Sequence, residues 1–427
     1  MSVLMGKIAI FFSRLMGHRG SDVGGRIALK FNKKIFSKLV KNIETVILVT
    51  GTNGKSTTTN LIATILEGID SSTISNKTGA NMYTGLLSTM VESYRFFGNK
   101  KIKYAVFEVD EGHVAKVMAE IDNNYLVLTN FFRDQLDRYS EMDLLIEKIR
   151  KSLEGKQTKL VLNADDPFCL RFRQFNYIAY GLNSKINDFE KGSISDSKYC
   201  PECGLELSYD CLFYGQLGHY SCQCGFRRPE VQYELSLIKN YEVIINDVNY
   251  KHNLRGAYNA YNVLAAIALL KELNINSMEI QRGLKTYLST DGRMQLIKIN
   301  NHNIYLNLVK NHAGMNMTLQ EVKGLEPKHV AFILNDYVGD GKDVSWIWDA
   351  DFEYLLDLDI EYFFVAGTRA NDMALRLKNM GVKPRQIMIN NLFESMVDLV
   401  CEKDAIVIAS YTALNETKNI LQKKGAN

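Results

Sequence analysis

Apolar residues fall in short runs that alternate with helical patterns along most of the chain. TVILVT (45–50) predicts a short buried strand that runs directly into GTNGKSTTTNLIATILEG, a turn followed by a helix. KYAVFEV (103–109), NYLVLTN (124–130) and KLVLNADDP (159–167) predict further strands, the last ending in an acidic turn, with helical segments between them. Strands alternating with helices indicate an α/β fold with a mainly parallel sheet covered by helices. The alternation breaks at 184–230, which is polar and rich in Gly and Cys. The stretch to about 250 is β-rich again, and NAYNVLAAIALLKEL (259–273) reads as an amphipathic helix. Beyond DGRMQ (291–295), HVAFILN (329–335), IEYFFVAG (360–367), RQIMIN (385–390) and DAIVIAS (404–410) predict a second, Rossmann-like α/β unit. Residues 1–42 carry helical punctuation. Within them 5–16 predict an amphipathic helix with Ile8, Phe11, Phe12 and Leu15 on one face, packed on the next domain or leaning on a membrane or lipid surface.

At 427 residues the chain is long enough for two or three packed units. The expected division is a helical segment 1–42, a central domain 43–294 with an insert at about 196–230, and a C-terminal domain 295–427. A formal net charge of +3, without a basic tract interleaved with aromatics, argues against a nucleic-acid partner. No run approaches the roughly 20 apolar residues that span a bilayer, and the N-terminus lacks the apolar core and cleavage site of a signal peptide. Seven cysteines, an odd number with a tight cluster, point to a metal site in a reducing cytoplasm and not to a disulfide framework.

A strand, then T-G-T-N-G-K-S-T, then a helix is an arrangement that cradles polyphosphate. Gly51 and Gly54 let the backbone wrap close, so that its amides and the helix N-terminus face the anion. Thr52, Asn53, Gly54, Lys55, Ser56 and Thr57 are the candidate nucleotide-binding residues. Lys55 brings positive charge to the outer phosphates, and the Ser56 hydroxyl reaches Mg²⁺. As a loop residue, Lys55 is expected at the surface and outside the core. The strict Walker pattern has another glycine at position 49, where this chain has Val49, so the loop is a shortened variant.

TGTNGKST and the segments after it resemble the Mur ligases and folylpolyglutamate synthases, from about residue 43 to the C-terminus. The resemblance implies a central P-loop domain followed by a Rossmann-like domain. The implied chemistry is ATP-dependent: an acyl-phosphate forms on a carboxylate and an amine displaces it. Glu108, in AVFEVDEG, matches a family glutamate that binds Mg²⁺, a ligand needed because ATP and a carboxylate substrate repel each other. Asp110 and Glu111 beside it read equally well as a solvated acidic turn. TNFFRDQLDRYSE (129–141) resembles T-N-x-x-x-D-H-x-D-R-x-G. Asp134, Asp137 and Arg138 fit, while Gln135 stands where relatives have a metal-binding histidine. LNADDP (162–167) matches a turn near the nucleotide, and Asn262 in NAYN matches a helix segment that approaches the adenine. Arg293 in DGRMQ matches an arginine that reaches phosphate near the domain junction. NLVKNHAGMN (307–316) resembles N-x-x-K-N-P-A-G-x-N with His312 in place of the proline, read as a tolerated surface residue.

Cys200 and Cys203 form one close pair and Cys222 and Cys224 another, 18 residues apart, each pair beside glycine or proline. Two thiolate pairs on turns predict a zinc-ribbon-like tetrahedral site, structural because four protein ligands leave no open position. The C-x-C half is tight, so Cys211 stands as a substitute ligand. A Mur-ligase core with this Cys₄ insert, SWIWD (345–349) and ASYTALN (409–415) resembles the branch of the family that amidates lipid II. That resemblance implies conversion of the D-glutamate α-carboxylate of the stem peptide to D-isoglutamine, in peptidoglycan synthesis at the inner face of the membrane. It also implies that ammonia comes from a separate GatD-like glutamine amidotransferase; this chain shows no convincing Cys–His glutaminase pair of its own, so ammonia must come from elsewhere. It further implies that Asp343, ahead of Asp340, Asp349 and Asp351, orients the partner's catalytic histidine. The alternative is a Mur-like ligase that adds an amino acid instead of ammonia.

Overall fold

The near-continuous Val/Ile/Leu runs of the first half make strands buried on both faces, as a parallel sheet requires. The computed structural model describes residues 1–425 except 19, 78–79, 96–100, 133–141, 187–196, 240 and 289–291. Asp134, Gln135, Asp137 and Arg138 therefore lie outside the described residues. The chain divides into two compact units, Met1–Phe132 with Glu141–Leu288 and, among the described residues, the remainder from 292 onward.

The first unit opens with three helices, α1 (Ser2–Leu15), α2 (Val23–Phe31) and α3 (Ile35–Val40). A strand β1 (Ile43–Thr50) then leads into α4 (Lys55–Ile69), followed by β2 (Ile74–Ser75), α5 (Tyr83–Ser93), β3 (Ile102–Glu108) and α6 (Glu111–Glu120). Next come β4 (Tyr125–Leu128), α7 (Met142–Leu153), β5 (Lys159–Asn163) and β6 (Tyr177–Leu182). The insert contributes a hairpin of β7 (Ser208–Tyr214) and β8 (Leu217–Ser221). The unit closes with β9 (Tyr233–Lys239), β10 (Glu242–Ile245), β11 (Val248–Lys251), α8 (Tyr258–Glu272) and α9 (Ser277–Thr286).

Nine strands form one sheet in the order β11-β10-β9-β6-β5-β4-β1-β3-β2. It is parallel from β2 to β9, and β10 and β11 add an antiparallel edge. The central strand β1 lies between β3 and β4, with Val49 opposite both Glu108 and Val127. The chain leaves β1 toward one edge and returns through β4 on the other side. The C-terminal ends of these three strands therefore meet at a topological switch point, where α/β sheets bind ligands. Residues 259–270 of α8 are all buried, so the one-sided helix expected there is instead enclosed, its Asn259 and Asn262 included.

In the second unit the strands are β12 (Gln295–Ile299), β13 (His302–Leu308), β14 (His329–Ile333), β15 (Tyr362–Ala366), β16 (Ile387–Ile389) and β17 (Ala405–Ala409). The helices are α10 (His312–Leu325), α11 (Ala370–Met380), α12 (Val397–Val400) and α13 (Tyr411–Gly425). The sheet order is β12-β13-β17-β14-β15-β16, parallel except for β12. Alternate residues of β14 feed two cores, Val330 and Phe332 on one face and Ala331 and Ile333 on the other. The β12–β13 hairpin at the edge was not among the expected strands.

Candidate functional site

At the switch point β1 ends at Thr50 and α4 begins at Lys55, joined by a loop whose two glycines take conformations that favour glycine, Gly51 at φ 125° and Gly54 at φ 86°. A β-carbon at Gly51 would come within 2.2 Å of Thr129 Oγ1, and one at Gly54 within 2.1 Å of Asn262 Oδ1. Neighbouring elements clamp the loop. The Asn53 N–H donates to Asn130 Oδ1 (2.8 Å), the Thr129 hydroxyl donates to Asn53 O (2.8 Å), and the Thr52 N–H donates to Asn130 O (2.8 Å). The Thr52 hydroxyl donates to Phe132 O (3.1 Å). Among the described residues no side chain caps α4, whose N-terminus is the anion-facing end of the helix dipole. Val49, at the position of the missing Walker glycine, is a fully buried β1 residue, so the strand simply continues to the loop.

Lys55 is not a surface lysine. Its side chain is 12% exposed and its ammonium donates to Gly51 O, to Thr52 O (2.9 Å) and to Glu111 Oε2 (3.0 Å), a carboxylate that is itself 8% exposed. The solvated-turn reading of Glu111 is thereby corrected. Asp110 N-caps α6 through Gly112 N (3.1 Å). Glu108 ends β3, buried. The Asn76 side chain bonds its backbone N–H and C=O (2.9 Å each), and Asn81 Nδ2 donates to its carboxylate (3.0 Å). Such outer partners fix the direction of a metal-ligating carboxylate. Asn262, on α8, lies beside the phosphate loop, with the Thr58 hydroxyl 3.4 Å from its Oδ1 and Asn259 accepting from its Nδ2 (2.8 Å).

The acidic turn after β5 is fully buried. Asp165 accepts from Arg228 Nε (2.6 Å), the Tyr261 hydroxyl (2.7 Å) and Leu182 N–H (2.8 Å). Asp166 accepts from the N–H groups of Phe131 (2.7 Å) and Phe168 (2.9 Å), while burial pushes its carboxyl up to about 7. Arg228 and the hairpin tip tie the insert to this turn. Gln216 Nε2 donates to Phe131 O (2.6 Å), the Tyr220 hydroxyl donates to Ala164 O (3.1 Å), and Tyr214 stacks on Phe132. Replacing Arg228 with Leu leaves the Asp165 charge buried without its cation, and is expected to destabilise this unit by about 3–5 kcal/mol. A thermal or urea unfolding midpoint unchanged from wild type would refute that role.

The four cysteines sit on two knuckles flanking the hairpin. Cys200 N–H donates to Leu205 O (2.7 Å) and Cys222 N–H to Phe226 O (2.7 Å), and Gly204 and Gly225 follow with positive φ. The sulfurs of Cys200, Cys203, Cys222 and Cys224 all lie within 4.8 Å of one another, with Cys203–Cys222 at 3.4 Å and Cys200–Cys224 at 3.6 Å. A metal–sulfur distance of about 2.3 Å in a tetrahedron puts sulfurs about 3.8 Å apart, so the four thiols fit one ion. The Phe226 N–H lowers the Cys224 thiol to about 7, whereas burial raises that of Cys200. Cys211 lies outside the group, on β7, so it does not substitute. The apolar support is small: Leu170, Cys200, Leu207, Tyr220 and Phe226.

In the second unit Arg293 is half-buried just before β12, in a turn held by Asn307 Oδ1, which accepts from Met294 N–H (3.0 Å). His312 is buried, not a surface residue. It is the first residue of α10, behind the N-cap Asn311, and the first helical position is one where proline is also at home. Asp343 is half-exposed and accepts from Ser345 N–H (2.8 Å); hydrogen bonds from Ser345 hold its carboxyl below the usual range. Asp340 is instead buried, accepting from Thr412 N–H (2.8 Å), and Asp351 accepts from Asn316 Nδ2 (2.9 Å). Tyr337, Val338 and Trp348 stand exposed on the same loop region.

Sequence reading left Glu111 open between a direct role and a solvated turn, and it missed Asn130, Arg228 and Gln216. Of these three only Asn130, in the T-N pair that follows a strand, carried a local signal.

The family model for the Mur ligase middle domain matches residues 49–270, and that for the MurT ligase C-terminal domain matches 308–414. The MurT subunit of the glutamine-hydrolyzing lipid II isoglutaminyl synthase of Staphylococcus aureus strain COL is 40% identical over 420 residues, covering 97% of this chain and 95% of that protein. The corresponding Streptococcus pneumoniae R6 subunit is 33% identical, covering 99% and 97%. Among solved structures, a pseudomurein peptide ligase type C from Methanothermus fervidus aligns with a TM-score of 0.69 at 24% identity, over 89% of this chain and 79% of that one. MurF from Acinetobacter baumannii aligns at 0.66 and 14%, over 94% and 81%. A phosphate loop clamped at the switch point of a Mur-ligase sheet, a four-thiol insert and end-to-end similarity to MurT subunits together place this chain in the Mur ligase family, among its MurT ligases.

Proposed function

We propose that this chain is the synthetase subunit of a lipid II isoglutaminyl synthase, converting the D-glutamate α-carboxylate of the lipid II stem peptide to the amide. The carboxylate oxygen takes the γ-phosphoryl group of ATP, giving an acyl-phosphate and ADP. Ammonia then adds to the acyl carbon and phosphate leaves. The glycine-walled loop, the α4 N-terminus and Lys55 bind and orient the phosphates, and Thr52, Asn53, Ser56 and Thr57 complete the cradle. Bound Mg²⁺ neutralises the repulsion between triphosphate and carboxylate, and Ser56 and Glu108 would hold it. Asn262 and Arg293 are assigned to the adenine and phosphate sides of the nucleotide. The labour divides among 1–42, a nucleotide-binding 43–294 and a C-terminal domain 295–427.

What supports this reading most is the 40% identity to a MurT subunit across nearly the whole of both chains. The name of that relative, a subunit of a glutamine-hydrolyzing enzyme, points to a GatD-like amidotransferase as the ammonia source. The exposed Tyr337, Val338 and Trp348 beside Asp343 suit a docked partner. The reaction belongs at the inner face of the membrane, where a lipid-linked precursor is available. Mixing the chain with ATP, lipid II and ammonium chloride at high pH is expected to yield the amidated product without any amidotransferase. Glutamine is expected to support it only with the partner added. Product formed from an amino acid, with none from ammonia, would favour the amino-acid-adding alternative.

Zinc is the metal proposed for the four thiols, because soft thiolates in a closed tetrahedral set select it. The chain is expected to purify with about one zinc per molecule. Cys203→Ser is expected to lower the thermal midpoint and yield more than the affinity for ATP, since the insert has little core of its own. Chelator-free protein without zinc by metal analysis would overturn the assignment.

A further inference from the structure

Helix α1 is apolar on two opposite sides, and only one is covered. Val3, Gly6 and Ile10 are buried; Gly6 and Gly24 pack so closely that a β-carbon at Gly6 would sit 2.8 Å from Gly24 O. Arg14 pairs with Glu92 (2.7 Å) and Lys7 Nζ donates to Glu92 O (2.7 Å), fixing how the helix is turned. At 3.6 residues per turn, Leu4, Ile8, Phe11, Phe12 and Leu15 fall within an arc of about 100° on the other side. Those five side chains are 40–66% exposed, and Phe31 at the end of α2 is exposed as well.

The charge of the N-terminal helical segment is one-sided. Residues 1–42 contain nine lysines and arginines and a single acid, Asp22, whereas the rest of the chain has 42 basic against 47 acidic residues. Lys30, Lys33, Lys34, Lys38 and Lys41 are all exposed. A protein partner would have to offer an apolar groove and a strongly acidic border together. An anionic phospholipid surface supplies both, hydrocarbon beneath negative headgroups. The fourteen residues of α1 span about 21 Å, short of the roughly 30 Å hydrocarbon layer, so the helix would lie along the surface and not cross it.

We propose that α1 is a membrane-surface anchor, its Leu4/Ile8/Phe11/Phe12/Leu15 stripe buried among the lipids of an anionic bilayer and the lysines of α2, α3 and their connections set against the headgroups. This deepens the reading above and rests on it for its purpose, bringing the enzyme to a lipid-linked substrate. The test is co-sedimentation of the full, metal-loaded chain with vesicles of equal phosphatidylglycerol and phosphatidylcholine, and with phosphatidylcholine alone. Wild type is expected to bind the anionic vesicles about tenfold better, and Phe11→Glu/Phe12→Glu to lose about tenfold of that binding. Circular dichroism melts serve as the folding control; Phe11→Ser/Phe12→Ser, a milder change, replaces the double glutamate if its melt shifts. Wild type left in solution with both vesicles, or a well-folded variant that binds like wild type, overturns the proposal. So does light scattering that shows the stripe closing a dimer of this chain. Amidation of a tail-less stem-peptide substrate with ammonium is read separately, expected equal in wild type and variant. Its failure in wild type would count against the proposed reaction while the vesicle result stood.

Discussion

Lys55→Ala is expected to reduce ATP turnover and ammonium-fed amidation by about 10³-fold, the scale on which removing one preorganised charge or donor from a transition state is felt. The ammonium is already confined: Gly51 O, Thr52 O and Glu111 hold it against the loop proposed to take the phosphates. Alanine removes that charge and also strands a nearly buried carboxylate, which by itself costs stability. The control is therefore the double variant Lys55→Ala/Glu111→Gln, which removes charge in matched amounts. If it melts like wild type and remains inactive, the loss is catalytic. Turnover within a few-fold of wild type, with lipid substrate present, would rule out this loop as the phosphate site.

The second large effect is expected at Asp343. Asparagine keeps the oxygen that accepts from Ser345 N–H, so the turn into the following helical segment survives while the charge is lost. A glutaminase histidine needs a carboxylate to fix its tautomer and stabilise its protonated form, and the amide in such a position has cost about 10⁴-fold in a related triad. Glutamine-dependent amidation by the chain with a GatD-like partner is expected to fall by about 10²–10⁴-fold. Complex formation, read by gel filtration, is expected to persist, and the ammonium-fed reaction to be largely spared. Glutaminase activity equal to wild type in the Asn variant would refute the assignment. Asp340 is the internal comparison: buried and capping α13 through Thr412, its loss should act on stability first.

What could be read from the chain alone was whatever a short backbone segment must satisfy by itself. Gly51, Gly54, Lys55 and Ser56 announce an anion cradle because the turn requires those residue types at that spacing. The two cysteine pairs announce a four-thiol cluster for the same reason, and strand after strand showed as an apolar run. What stayed hidden depends on distant partners. Glu111 read equally well as a solvated acidic turn because its cation is 56 residues away, and Arg228 gave no signal because Asp165 is 63 residues away. The edge hairpin QLIKI–HNIYLNL was passed over because alternating polar residues dilute its apolar signal. Helix α8 read as one-sided because its polar Asn259 and Asn262 suggest a wet face, whereas they are buried and bonded to each other.

The phosphate loop owes its shape less to its own eight residues than to the side chains around it. Thr129 and Asn130 arrive from β4, and Asn262 arrives from α8, more than 200 residues along the chain from Thr58. The octapeptide is therefore not a portable part. Grafted between the strand and helix of an unrelated α/β scaffold, it would bring its glycines and lysine but lose the walls that bend them. A designer borrowing this nucleotide grip would have to transplant the Thr-Asn pair and the asparagine of the enclosed helix along with it. Conversely, changes at Asn130 or Asn262 could retune the grip while leaving every residue of the loop untouched.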